Sequence, residues 1–166
     1  DLDLVFPNSM PNGKIPLVIY VHGGGFSNGN RGGGHKMAKF LIKENIAVAS
    51  ISYTLSMKDK SFGCDGILSE KVKAIQIAAN QLWISTVFFA ENQEKFNIDT
   101  SKIFIAGSSA GAETVLHAAF WNREMMKLYE TQLPDSFKYA GVISGAGAIM
   151  DLNLVTRETL IPMMMC

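Results

Sequence analysis

Short, mostly apolar runs rich in β-branched residues recur along this 166-residue chain, and they constrain its fold more than any other feature. Each run has the length of a strand and is shorter than a typical buried helix, so the runs predict strands. Runs with so little alternation predict strands that are buried on both faces of a sheet. These runs cover residues 17–21, 46–53, 102–106, 139–144 and 161–166.

The segments between the apolar runs have helical periodicity. Residues 35–43, 67–92 and 110–129 repeat apolar side chains at helical spacing, whereas residues 1–6 alternate and predict a half-exposed strand. Residues 97–100 are polar and predict a turn. Alternation of strands and helices predicts an α/β fold, with a mostly parallel sheet covered by helices on both faces. We expect one domain over residues 1–166.

The composition excludes several classes of protein. Hydrophobic residues make up 48% and charged residues 18%, which is ordinary for a globular chain. The 15 basic residues are balanced by 15 acidic ones, so we expect no nucleic-acid partner. No apolar run reaches transmembrane length. Cys64 and Cys166 lie outside any metal-ligand pattern, so no metal site is predicted. Two cysteines do not distinguish a cytoplasmic protein from an exported one.

A serine motif follows the third apolar run, in the stretch IFIAGSSAGAET. Gly107-Ser108-Ser109-Ala110-Gly111 matches G-x-S-x-G, with Ser109 at the centre. A nucleophile on a sharp strand-to-helix turn needs small residues two positions away, so that strand and helix can approach. We therefore expect Ser109 as nucleophile, Gly107 and Gly111 as its supports, and the Ala110 N–H as an oxyanion donor. The alternative is a glycine-rich turn with a capping serine.

A second glycine-rich stretch, His22-Gly23-Gly24-Gly25, follows the first apolar run. Successive glycines let backbone N–H groups converge on one point, so Gly24 and Gly25 are candidate oxyanion donors. We expect His22 to hold this loop through hydrogen bonds. A nucleotide site is the competing interpretation. It lacks a P-loop pattern, and no acidic residue ends the next strand at Tyr53.

Taken together, the two motifs resemble the α/β-hydrolase family, and within it the carboxylesterases related to hormone-sensitive lipase. The matching segments are PLVIYVHGGGF, VASISY and NIDTSKIFIAGSSAG, at residues 16–26, 48–53 and 97–111. The resemblance implies a serine hydrolase of small carboxylic esters that needs no metal or organic cofactor. In it Ser109 is the nucleophile, and the oxyanion hole is formed by Gly24, Gly25 and Ala110.

The acid and the base of such a hydrolase are not evident in this chain. The family order is serine, acid, histidine, and the one histidine after Ser109 is His117, on the same helix. It should lie about 12 Å along the helix axis, too far for a hydrogen bond. Glu113 is expected to be a helix-face charge, and Asp151 precedes the position of the family's acid.

The resemblance implies that the acid and the histidine lie beyond Cys166. The chain is then a segment of a larger hydrolase, incomplete at its C-terminal side and short of leading strands at its N-terminal side. Such a segment should have little turnover by itself, and its unpaired sheet edge should favour self-association. The alternative is a non-catalytic relative that binds a ligand or a partner protein.

Overall fold

A six-stranded sheet forms the centre of the protein in a computed structural model that describes residues 1–9, 11–61, 63–121, 126, 133–134 and 136–166. The apolar runs in the middle of the sheet form strands whose side chains are mostly buried. The strands are β1 (Leu2–Val5), β2 (Ile15–Val21), β3 (Ala47–Ile51), β4 (Ile98–Ser108), β5 (Gly141–Gly145) and β6 (Met163–Met165).

The order of the strands across the sheet is β1-β3-β2-β4-β5-β6. Only the pairing of β1 with β3 is antiparallel among these neighbours, so the predicted mostly parallel sheet is confirmed. In the central pair, Val21 at the end of β2 lies opposite Gly107 in β4. Since parallel strands end at the same edge, this register brings the two glycine-rich stretches side by side.

Helices cover both faces of the sheet, as predicted. On one face α2 packs beside α4, and the Trp83 indole N–H donates to the Ala118 carbonyl at 2.9 Å. On the other face α1 places Ala38 against a smaller cluster with Val18 and Val48. The described helices are α1 (Gly34–Leu41), α2 (Leu68–Glu91), α3 (Gln93–Phe96) and α4 (Ala110–Phe120), with 3-10 turns at Arg31–Gly33, Ile42–Glu44 and Leu152–Leu154.

Helix α4 is shorter than the predicted helix over residues 110–129. It ends at Phe120, because Trp121 takes an extended backbone with φ −63° and ψ 136°. The Trp121 side chain is nevertheless buried, so the apolar pattern continues in the sequence after the helix has ended. Residues 122–125 and 127–129 of the prediction lie outside the described residues.

The turn predicted at residues 97–100 is also wrong. Strand β4 already begins at Ile98, which is fully buried and pairs with Ile15. The polar composition is misleading because Asp99 and Ser101 bond locally, with the Ser101 N–H donating to the Asp99 carboxylate at 3.0 Å. A strand can carry such side chains where it faces solvent.

Strand β6 forms one edge of the described sheet. It is shorter than the predicted run over residues 161–166. Its three methionines are 40%, 60% and 55% exposed, which is unusual for apolar side chains in a strand. An edge strand offers unpaired backbone groups to another chain.

Within the described ranges, no helix combines the length and hydropathy that crossing a bilayer requires.

Candidate active site

The turn from β4 to α4, which we call the serine turn (residues 107–111), has a strained centre. Ser109 has φ 52° and ψ −122°, a backbone conformation that side chains other than glycine rarely adopt. Its N–H donates to the Gly145 carbonyl at 2.8 Å, and its carbonyl accepts the Glu113 N–H at 3.0 Å. These bonds fix the strained residue, whose side chain is exposed at the first turn of α4.

Glycine on either side of Ser109 lets the surrounding elements touch. A Cβ atom on Gly107 would overlap the Gly111 carbonyl, and one on Gly111 would overlap the Val21 carbonyl at the end of β2. Strand β4, helix α4 and strand β2 therefore meet at backbone contact distance. This close approach is the steric requirement that the G-x-S-x-G motif predicts.

The stretch after β2, which we call the glycine loop (residues 22–29), lies against the serine turn. A Cβ atom on Gly23 would lie 2.7 Å from the Ser108 carbonyl oxygen and 3.1 Å from the Ser109 Cβ. Gly24 and Gly25 both have positive φ, at 117° and 59°. A Cβ on Gly25 would meet only the Ser27 hydroxyl at 3.7 Å, so this position borders open space.

Hydrogen bonds close the glycine loop on itself. The N–H groups of Ser27 and Asn28 both donate to the Gly24 carbonyl at 3.0 Å. Because that carbonyl is engaged inside the loop, the peptide is fixed in orientation. Ala110, the third expected oxyanion donor, is buried as the first residue of α4. The assignment of these three N–H groups to an oxyanion hole stays a prediction.

His22, the first residue of the glycine loop, is buried. Its Nδ1 lies 2.7 Å from the Gly23 carbonyl oxygen, and its ring stacks on Tyr53 with centroids 4.3 Å apart. The Tyr53 hydroxyl donates to the His22 carbonyl at 2.9 Å. Burial is the main cause that raises the pKa of Tyr53, and the negative charge of Glu113 makes a smaller contribution in the same direction. The phenol therefore stays protonated and able to donate.

Sequence reasoning missed Tyr53 as part of this site. It follows β3, whose end lies beside the end of β2 through the pairing of Ile51 with Val21. An aromatic residue just after the neighbouring parallel strand was the available signal. Phe26 adds a second anchor from within the loop, because it is fully buried at φ 57° and its carbonyl accepts the Met57 N–H at 2.9 Å.

His117 is buried in α4, and both its ring nitrogens are engaged. Its Nε2 accepts the Met150 N–H at 3.1 Å, so the proton is on Nδ1, which lies 2.7 Å from the Glu113 carbonyl oxygen. Burial lowers the pKa of His117, although the bond to Glu113 opposes that change. The ring has no free nitrogen to accept a proton from Ser109, as expected from its position along the helix.

The remaining acid–base candidates are engaged elsewhere. His35 is exposed, with its Nε2 3.2 Å from the Asp3 carboxylate. The Asp151 carboxylate accepts the Asn153 N–H at 2.9 Å and caps a 3-10 turn. None of these contacts joins a histidine to Ser109 within the part of the chain that the structure describes. That part also contains no group of three His, Cys, Asp or Glu side chains arranged to hold a metal ion.

The mostly parallel sheet, with a glycine-flanked serine turn beside a glycine loop, defines an α/β-hydrolase fold. The chain belongs to the BD-FAE family, whose model matches residues 2–161.

Solved structures of esterases share this fold. Esterase B from Lactobacillus rhamnosis superposes with a TM-score of 0.69 at 20% identity, over 88% of this chain and 43% of that one. A thermophilic esterase from Thermogutta terrifontis gives 0.65 at 13% identity, over 88% and 49%. A fungal esterase from Rhizomucor miehei gives 0.63 at 20% identity, over 89% and 39%. This chain therefore spans less than half the length of each of these structures.

Proposed function

We propose that this chain carries the nucleophile and the oxyanion hole of a serine hydrolase that cleaves carboxylic esters. The observation that supports this most strongly is the conformation of Ser109. Its strained backbone holds an exposed hydroxyl at the start of α4, directly against Gly23 of the glycine loop. A strained residue at such a position is typical of a nucleophile, because local strain persists where function requires it.

In the proposed reaction the Ser109 hydroxyl attacks the ester carbonyl carbon. A histidine outside residues 1–166 takes the serine proton, and an acid outside them orients that histidine. The N–H groups of Gly24, Gly25 and Ala110 hold the oxyanion that forms. Collapse of this intermediate releases the alcohol, which takes the proton from the histidine. Water then hydrolyses the acyl-enzyme and restores Ser109.

The other site residues have supporting roles in this proposal. His22 holds the peptide between Gly23 and Gly24 in place, and Gly107 with Gly111 lets β4, α4 and β2 meet at the serine turn. The helix dipole of α4 favours the negative charge that develops near Ser109. No metal or organic cofactor takes part. Residues 1–166 then form one α/β-hydrolase domain, incomplete by itself.

The substrate class is proposed as small-molecule esters. Structures with the same fold are described as esterases, one of them in complex with a tributyrin phosphonate inhibitor and another as a heroin esterase. The Met163–Met165 edge is a proposed surface for self-association, since its backbone and its methionines are open to a second chain.

Hydrolysis of p-nitrophenyl butyrate tests this function. The longest natural form of the protein should turn the ester over, and Ser109→Ala should lower kcat/KM by at least about 1,000-fold. Ser108→Ala is the matched control, because Ser108 is an exposed serine one position earlier. The 166-residue chain alone should show little turnover. If Ser109→Ala retains the rate, Ser109 is not the nucleophile. If the longest form is inert, a non-catalytic binding role is the better interpretation.

A further inference from the structure

The segment that follows β5, which we call the exit segment (residues 146–150), lies along helix α4. Near its start, a Cβ atom on Gly147 would stand 2.5 Å from the Ala112 Cβ. At its far end, the Met150 N–H donates to Nε2 of His117 at 3.1 Å. Ala112 and His117 are more than one helical turn apart, so the exit segment follows α4 over that distance. These two contacts fix its path against the helix.

The peptide group between Gly145 and Ala146 leads into the exit segment and is bonded on both sides. Its carbonyl accepts the Ser109 N–H at 2.8 Å, and its N–H donates to the Cys166 carbonyl at 2.7 Å. Ala146 has a φ of 56°, which is uncommon for a residue with a side chain. Such a conformation persists only where the surrounding contacts hold it. The orientation of the peptide that braces Ser109 therefore depends on how the exit segment is held.

We propose that His117 is a positioning residue for Ser109, which it supports by holding the far end of the exit segment. The inference rests on the proposed function, because it assigns His117 to the nucleophile of that function. When the Met150 N–H loses its acceptor, the exit segment can leave α4 and Ala146 can return to an ordinary φ. The Gly145 carbonyl then turns away from the Ser109 N–H, and the strained serine loses the bond that braces it.

The surroundings of His117 require a polar ring with two different nitrogens. The side chain is fully buried, with Nδ1 2.7 Å from the Glu113 carbonyl oxygen and Nε2 against the Met150 N–H. A backbone carbonyl only accepts and a backbone N–H only donates, so the neutral imidazole with its proton on Nδ1 satisfies both.

Packing alone does not explain a histidine at this position. The ring contacts Trp121 with centroids 4.5 Å apart, and an apolar side chain could fill the same space. An apolar side chain would leave the Met150 N–H without this acceptor, which costs free energy where the group is shielded from water. Holding that N–H is therefore the property that distinguishes His117 from a packing residue.

Two amide variants separate the two nitrogens of the ring. In His117→Gln the side-chain oxygen reaches the place of Nε2 and accepts the Met150 N–H, whereas in His117→Asn the shorter amide reaches only the place of Nδ1. In the longest natural form of the protein, a fluorophosphonate should label Ser109 about fivefold more slowly in His117→Asn than in His117→Gln. The same two substitutions at His35, an exposed histidine of α1, control for the different helix propensities of the two amides and should label at equal rates.

A second measurement does not depend on catalysis. Hydrogen exchange at the backbone amides of Met150 and Ser109 should be at least about fivefold faster in His117→Asn than in His117→Gln. Exchange at Ile105, in the middle of β4, corrects for any difference in global stability. Equal corrected exchange at Ser109 in the two variants overturns the proposal, whatever happens at Met150.

The labelling rates decide the same question where wild type is labelled, because equal rates in His117→Asn and His117→Gln also overturn the proposal. If Ser109 is labelled in none of these proteins, the proposed function has failed. Exchange at the Ser109 amide then still decides the role of His117.

Discussion

Gly111 in α4 lies directly against the backbone of Val21 at the end of β2, so closely that a Cβ atom on Gly111 would overlap the Val21 carbonyl oxygen. The same Cβ would lie 2.6 Å from the His22 carbonyl oxygen. This crossing joins the helix that follows Ser109 to the strand that precedes the glycine loop. The distance between the two halves of the proposed site is therefore fixed by backbone contact.

Gly111→Ala should push helix α4 away from the end of strand β2. We expect the free energy of unfolding to fall by about 2–4 kcal/mol, because backbone atoms cannot repack as a flexible side chain would. Urea denaturation measures the change. Gly145→Ala is the matched control, since its Cβ would meet only the Gly107 carbonyl oxygen at an ordinary 3.5 Å. Equal losses in the two variants would contradict the close crossing.

The strain at Ser109 predicts a trade of stability for function. Ser109→Gly should raise the free energy of unfolding by about 1 kcal/mol, because glycine adopts positive φ without steric conflict. Ser109→Ala should change it by less than about 0.5 kcal/mol, since alanine keeps the strain. Ser108, which is not among the residues with positive φ, provides the control: Ser108→Gly should destabilise. A loss of stability in Ser109→Gly would show that the turn is not strained.

Gly29 and Gly13 separate backbone conformation from contact in the glycine loop. Both have similar positive φ, at 96° and 100°, so alanine meets the same conformational penalty at either position. A Cβ on Gly29 would overlap the Gly23 carbonyl and lie 2.7 Å from His22 Nδ1, whereas one on Gly13 would meet nothing within 4 Å. Gly29→Ala should therefore slow fluorophosphonate labelling of Ser109 by about tenfold or more, from displacement of the loop. Gly13→Ala should label at the wild-type rate, and equal slowing in both would contradict a positioned loop.

The neutral His117 should make the protein sensitive to acid. Its folded pKa lies below the ordinary 6.5, so the unfolded state binds more protons in that window and stability falls as the pH drops through it. His117→Asn keeps a donor for the Glu113 carbonyl and cannot be protonated. Glu113 has the opposite effect on stability, because burial raises its pKa. In a Glu113→Gln background, which removes that effect, His117→Asn should lose less stability between about pH 8 and about pH 5 than the protein with His117. A steeper loss in His117→Asn would reverse the assigned direction.

The sequence predicts the serine turn well because its requirements are local. Strand, glycine, serine, glycine and helix follow one another directly, and steric demand alone selects Gly107 and Gly111. The contacts of Tyr53 could not be predicted in this way, because they depend on which residues of β2 and β3 end side by side. Glu113, predicted to be a helix-face charge, is half-buried in the structure.

Helix and strand ends were the least predictable part of the fold. Trp121 keeps the apolar pattern of α4 after its backbone has turned extended, so periodicity overstates the helix. Ile98 begins β4 inside a polar stretch, because pairing with Ile15 depends on a partner strand and not on local composition. Both errors lie away from Ser109 and leave the candidate site unchanged.

The intact mass of the longest natural form of the protein, before and after reaction with a fluorophosphonate, tests the central claim most directly. We expect one adduct, located on Ser109 by peptide mapping, absent in Ser109→Ala and retained in Ser108→Ala. No adduct, or an adduct that survives Ser109→Ala, would contradict the assignment of Ser109 as the nucleophile.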